Sequence, residues 1–169
     1  MSRNIELKAR LRSLDEARRV CGDLASWHAG EHQIDTYFVC RHGRLKLRER
    51  SGQPAQLVWY ARPDGAEPRA SDYDLVPVEH APALKQALAA ALGVLVIVEK
   101  DREIYLHKNV RIHLDRVDRL GDFVEFEAVL AAGDDEPAAA RLVEELAAHL
   151  GVAADDRVAG SYSDLLLVK

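Results

Sequence analysis

Cysteine is scarce in this 169-residue sequence, and Cys21 and Cys40 form neither a CxxC pair nor an even, closely spaced set. Neither a disulfide framework nor a cysteine-built metal knuckle can organise the fold, and two free thiols fit a reducing compartment. Long apolar runs are missing too. The run "VLVIV" at 94–98 is strand-sized, and even joined to "ALAAALG" before it the stretch is twelve residues, short of the roughly 20 a membrane-spanning helix needs. No basic stretch followed by an apolar segment and a small-residue cleavage site opens the chain, so the expectation is a cytoplasmic protein with no membrane partner. An excess of basic charge is also lacking. The formal net charge is −5, against the net basic face of a duplex nucleic-acid binder, so any anion site must be local. Internal repeats, low-complexity tracts and long linkers are absent, and the length suits one domain over 1–169.

What is present is short segments with clear punctuation. "NIELKAR" begins a strand over about 3–12, in which Asn4, Glu6, Lys8 and Arg10 alternate with Ile5, Leu7 and Ala9. A helix follows at 14–26, with Asp15 as its candidate cap. Strands at 34–39, 44–50, 56–63 and 71–78 are separated by Gly- and Pro-containing turns. An Ala- and Leu-rich helix spans 81–93, strands occupy 94–107, 110–117 and 123–130, a third helix spans 136–151, and 161–168 makes a short fourth. Strand runs grouped with helices outside them define an α+β class.

The strand faces carry the functional information. Arg44, Lys46, Arg48 and Arg50 share one face; so do Lys100 and Arg102; so do Arg111, His113 and Asp115; so do Glu125 and Glu127. An antiparallel sheet can leave such a face in water. A solvated face, however, usually mixes Thr, Ser and Gln with its charges, whereas here carboxylates and guanidinium groups dominate. The other solution closes about eight strands into an antiparallel β-barrel with the charges inward and helices packed outside. Such an interior must be wet and internally paired.

In their order and spacing, "NIELKAR", "DTYF", "GRLKLRER", "WYARPD", "EKDREIY", "VRIHLDRV", "GDFVEFE" and "SYSDLL" resemble the CYTH domain proteins, the triphosphate tunnel metalloenzymes that include class IV adenylyl cyclases and thiamine triphosphatases. The likeness runs along essentially the whole chain. It implies an eight-stranded tunnel that binds a triphosphate-containing small molecule with Mg²⁺ or Mn²⁺. By the same likeness Glu6, Asp115, Glu125 and Glu127 are metal ligands, and Lys8, Lys100 and Arg102 are catalytic. Arg48, Arg62 and Arg69 then grip phosphate. Lys46 and Arg10 join them on parity. A triphosphate carries close to four negative charges, which calls for such a set of cations and hard oxygens.

One position departs from the resemblance: Asn4 stands where the ExExK strand has its first Glu, offering a neutral oxygen in place of a charge. The implied activity is phosphohydrolysis of inorganic or organic triphosphates. The alternatives are cyclic AMP formation from ATP, or a binding protein whose turnover Asn4 has impaired. No base-reading pocket is evident, which favours hydrolysis. A structural β-sheet domain binding a protein through its charged face is the competing class.

Other residues have plainer readings. His28 and His32 could share a metal but read as surface histidines at a helix end, and His113 either meets substrate or pairs with a carboxylate. Cys21 belongs to a helix stripe and Cys40 to a turn, so neither is a nucleophile. Tyr60 shares parity with Arg62, and Tyr162 and Asp164 could close one mouth. A homodimer is the commonest assembly open to a soluble chain.

Overall fold

A computed structural model gives the fold and describes residues 2–168. The elements run β1 (Ser2–Arg10), α1 (Leu14–Leu24), β2 (Ser26–Phe38), β3 (Arg44–Arg50), β4 (Gln53–Ala61), β5 (Arg69–Val78), α2 (Ala81–Leu92), β6 (Val94–His107), β7 (Val110–Val117), β8 (Gly121–Leu130), α3 (Glu136–His149) and α4 (Tyr162–Leu167). The strands close in the order β1-β5-β4-β3-β2-β6-β7-β8, with every neighbouring pair antiparallel. The fold is the α+β class expected from the grouped strands, closed into the eight-stranded barrel that the family resemblance implied.

Alternation decides which residues meet. Ile5, Leu7 and Ala9 of β1 point outward, as do Ile112 and Leu114 of β7 and Val124, Phe126 and Ala128 of β8. There they bury Leu14, Ala17 and Cys21 of α1 and Ala139, Val143, Leu146 and Ala147 of α3. Burying a Leu or Phe side chain in this way contributes about 1.5–3 kcal/mol. Ser13 caps α1 by accepting a 3.2 Å hydrogen bond from the Glu16 amide, so the expected cap, Asp15, lies inside the first turn and pairs with Arg18 instead. Asp135 caps α3 in the same manner. Leu84 and Leu88 of α2 rest on Phe38, Leu47 and Ala55, while Leu92 at the helix end is exposed.

Charged positions face the other way. Lys8 and Lys100 are each 4% exposed and Arg102 is 6% exposed, which excludes an open sheet with a solvated charged face. At the turn between β2 and β3, Gly43 adopts φ +67, and a Cβ there would lie 2.6 Å from the Tyr60 carbonyl oxygen. Only glycine fits that approach.

β2 is longer than its sequence suggested, beginning at Ser26 because the long strand β6 offers it partners from Val94 to Leu106. His28 and His32 therefore lie on a strand and not at a helix end. A register shift between Trp27 and Ala29 separates them, and His28 turns into the bore while His32 pairs outside with Asp101 at 2.8 Å and Glu99 at 3.3 Å. α4 closes one mouth: Tyr162, Leu165 and Leu166 pack among Tyr37, Val98 and Phe123. Among the described residues no helix is long and apolar enough to cross a membrane.

Candidate active site in the barrel bore

The bore is a cavity of about 560 Å³. Every other residue along each strand enters it, so cations from separate strands converge: Lys8 from β1, Lys46 and Arg48 from β3, Arg62 just past β4, and Lys100 and Arg102 from β6. Each is countered by an acid. Asp35 accepts from Lys46 Nζ at 2.7 Å and from Arg48 Nε at 3.1 Å. Asp115 takes Arg102 in a two-pronged grip and lies 3.6 Å from Lys100 Nζ. Glu125 accepts from Arg102 at 2.7 Å and lies 3.3 Å from Lys8 Nζ; Glu6 accepts from Arg62 at 2.6 Å. Tyr162 completes this end, donating to Asp115 at 2.8 Å with its ring 3.8 Å from Lys8 Nζ and 5.0 Å from Lys100 Nζ.

Burial sets the electrostatics. It lowers Lys100 to about 7, with Arg102 pushing the same way against Asp115 and Asp35. Lys8 is also lowered, chiefly by burial and against the pull of Glu125. Burial works against the carboxylates too, yet Arg48 and Lys46 hold Asp35 far below the usual range, Arg102 and Lys100 do so for Asp115, and Lys8 for Glu125. Glu6 alone among these acids is raised, first by burial and then, against Arg62, by Glu125 and Glu127. His113 is lowered by burial and Arg102; its Nδ1 is 3.7 Å from Glu125, beyond hydrogen-bond reach. The bore thus holds lysines whose charged form an anion would favour and an acid whose ionised form a cation would favour.

Several expected site residues have protein partners that the sequence did not reveal. Arg10 does not reach the bore: its guanidinium lies over Phe123, 3.4 Å from the Leu120 carbonyl oxygen. Arg69 is buried but spends its guanidinium on the carbonyl oxygens of Gly65 and Ala159, tying the loop after β4 to the C-terminal segment. Asp115 is the counterion of Arg102 and Lys100. Asp35, which sequence reasoning passed over, is the second such counterion. Its signal was available in "IDTYFV", an acid in an otherwise buried strand on the parity of Tyr37.

Among the described residues no three His, Cys, Asp or Glu side chains are grouped closely enough to hold an ion as they stand. The donor chemistry nonetheless fits Mg²⁺ or Mn²⁺. Glu6 faces Glu127 directly in the β1–β8 register, and Asn4 Oδ1 is buried without a hydrogen-bond partner. These are hard oxygens, and Glu6 is held by a side chain, Arg62, that a polyanion would attract.

A family model described as the CYTH domain matches residues 2–162. The fold is similar to that of the PH1012 protein from Pyrococcus horikoshii OT3, with TM-score 0.84 and 24% identity over 98% of this chain and 99% of the other. A candidate adenylate cyclase from Vibrio parahaemolyticus gives TM-score 0.72 and 22% identity over 97% of each chain. HpAC1 from Hippeastrum, a candidate adenylyl cyclase with a dominant triphosphatase activity, gives TM-score 0.64 and 14% identity over 99% of this chain and 94% of the other. A search of curated proteins finds no match.

Proposed function

The chain belongs to the CYTH domain family, and from that premise we propose that it is a divalent-cation-dependent triphosphatase acting on inorganic or organic triphosphates held in the bore. The observation that carries this reading is the convergence of Lys8, Lys46, Arg48, Arg62, Lys100 and Arg102 on one enclosed cavity. The triphosphatase activity of HpAC1 and the family match are consistent with it.

Phosphoryl transfer asks a protein mainly for positioning and charge neutralisation. Arg48 and Arg102, whose Nε and Nη2 are engaged by Asp35 and Asp115, would turn the Nη1 side of the guanidinium to phosphoryl oxygens, and the lysines supply compact charges between them. Asp35 and Asp115 hold those cations in place before substrate arrives, so little reorganisation is needed when charge shifts toward the leaving oxygen. Tyr162 and the α4 leucines pack at one mouth, which limits solvent access from that end. The acidic arc of Glu6, Glu125 and the Asn4–Glu127 pair would hold Mg²⁺ or Mn²⁺, which when bound neutralises phosphoryl oxygens.

Phosphate release from tripolyphosphate, thiamine triphosphate and ATP tests the proposal. Release should require Mg²⁺ or Mn²⁺ and fall at least about a hundredfold in Glu125→Gln, the scale of losing one preorganised electrostatic group. Equal release by that variant removes the assignment. With ATP, ADP and phosphate are expected; cyclic AMP and pyrophosphate would make the protein a cyclase.

A further inference from the structure

The bore changes character along its length. Its six cations face four acids, Glu6, Asp35, Asp115 and Glu125, so the part nearer α4 carries an excess of positive charge when its lysines are protonated. Toward the opposite mouth the cations stop. On β6 the inward positions after Lys100 and Arg102 are Ile104 and Leu106, the last about 13 Å beyond Arg102 along the strand. On β5, four strands away around the barrel, the inward row runs past Tyr73 to Leu75. The charges left here balance one another: Arg111 donates to Glu127 at 3.1 Å, and Arg50 lies 3.8 Å from Glu31.

Inward apolar side chains can serve packing alone, but these are incompletely covered. Leu75 is 45% exposed although it lines the bore, and Ile104 and Leu106 are only partly buried. Two opposite walls therefore present wet apolar surface at the mouth of a tunnel that is otherwise charged. Inorganic tripolyphosphate is charged over its whole length and gains nothing from such surface. A triphosphate ester ends in an uncharged carbon group that would cover it.

Resting on the triphosphatase reading, we propose that the mouth opposite α4 is a subsite for an uncharged, apolar organic group, and that Leu75, Ile104 and Leu106 make the chain prefer triphosphate monoesters to inorganic tripolyphosphate. The ester then enters with one polarity. Its terminal phosphate lies deepest, toward Lys8 and Lys100, and its ester-bearing phosphate lies toward Arg48 and Arg102.

Calorimetry of the full chain with Mg²⁺ and methylene-bridged, non-hydrolysable triphosphate esters separates recognition from turnover. The butyl ester should bind the wild type at least about tenfold more tightly than the methyl ester, the scale on which an apolar pocket reads added methylenes. Its heat-capacity change should be the more negative, as apolar burial requires. In Leu106→Gln, alone or combined with Ile104→Thr, most of that difference should disappear, and the methyl ester should lose less affinity than the butyl ester. Melts without ligand check that each variant is folded, and Leu75→Gln, at a half-exposed position, decides the matter if the others are not. Equal affinity for the two esters in the wild type, or a difference that the folded variants keep whole, overturns the subsite and leaves the triphosphatase reading standing. Tail-dependent binding with no phosphate release from the hydrolysable butyl ester keeps the subsite and ends the triphosphatase reading. Failure of the folded wild type to bind either ester overturns both.

Discussion

Arg102 grips Asp115 with both arms of its fork, Nε to Oδ1 and Nη2 to Oδ2, each at 2.6 Å. Nη2 also reaches Glu125 at 2.7 Å, so one guanidinium on β6 ties the next two strands, β7 and β8, together. Asp115 is fully buried. Removing its charge leaves Arg102 and Lys100 undercompensated where solvent cannot help. Asp115→Asn is expected to lower stability by about 3–5 kcal/mol, the range for breaking one partner of a buried pair. The midpoint of urea unfolding measures it. An unchanged midpoint would mean that the pair is effectively in water.

Lys100 gives the site a pH dependence of definite sign. Its folded value is about 7, below the roughly 10.4 of a free lysine. Between those values the unfolded chain binds more protons than the folded one, so this group makes stability rise with pH from about 7 toward 10. Below about 7 both states are charged and the cost of burying the ammonium is fully present. A bound triphosphate favours the charged form, so binding above about pH 7 takes up a proton, and this group alone weakens affinity about tenfold per pH unit. Calorimetry of tripolyphosphate binding in two buffers of different ionisation enthalpy reads the uptake. It should fall in Lys100→Met; uptake that is unchanged there would locate the titrating group elsewhere.

The strands were legible because β1, β3 and β7 and the centre of β8 alternate, and parity separates Leu7 from Lys8 and Leu114 from Asp115; β6, an apolar run followed by a charged one, was legible by its length and flanking turns. Parity says which face a residue takes but not its height along the bore. Arg10 shares a face with Lys8 yet lies at the strand end, where its guanidinium turns onto Phe123. Arg69 shows a second limit: two backbone carbonyls, from the loop after β4 and the C-terminal segment, accept from it, and no periodicity records such loops. The start of β2 was hidden because "SWHAGEHQ" has no apolar rhythm, and β6 supplies its register from 94 onward. Asp35 was hidden because a lone acid in an apolar strand looks like noise until Arg48 is seen opposite it.

Tyr162 separates a hydroxyl effect from a ring effect. Tyr162→Phe removes the 2.8 Å bond to Asp115 but keeps the ring beneath Lys8, and should lower stability by about 1 kcal/mol. Tyr162→Ala also removes the ring from a mouth shared with Phe123, and should lower stability by about 3–5 kcal/mol. Thermal melts of the two variants compare them. Equal losses would assign the whole effect to the hydroxyl.

Asp35 distinguishes a bore built to receive an anion from one that is merely self-paired. In the free protein its carboxylate is the partner that both Lys46 and Arg48 touch, so Asp35→Asn should destabilise by about 3–5 kcal/mol. A polyphosphate in the bore brings those two cations a second source of negative charge, so the same variant has more to gain from ligand than the wild type. Ligand raises stability by RT ln(1 + [L]/Kd), and a tighter Kd enlarges the shift. Asp35→Asn should therefore melt below the wild type without tripolyphosphate and show the larger rise with it. If tripolyphosphate raises both midpoints equally, Lys46 and Arg48 do not touch the phosphates. If the variant loses nothing on its own, Asp35 is not their countercharge.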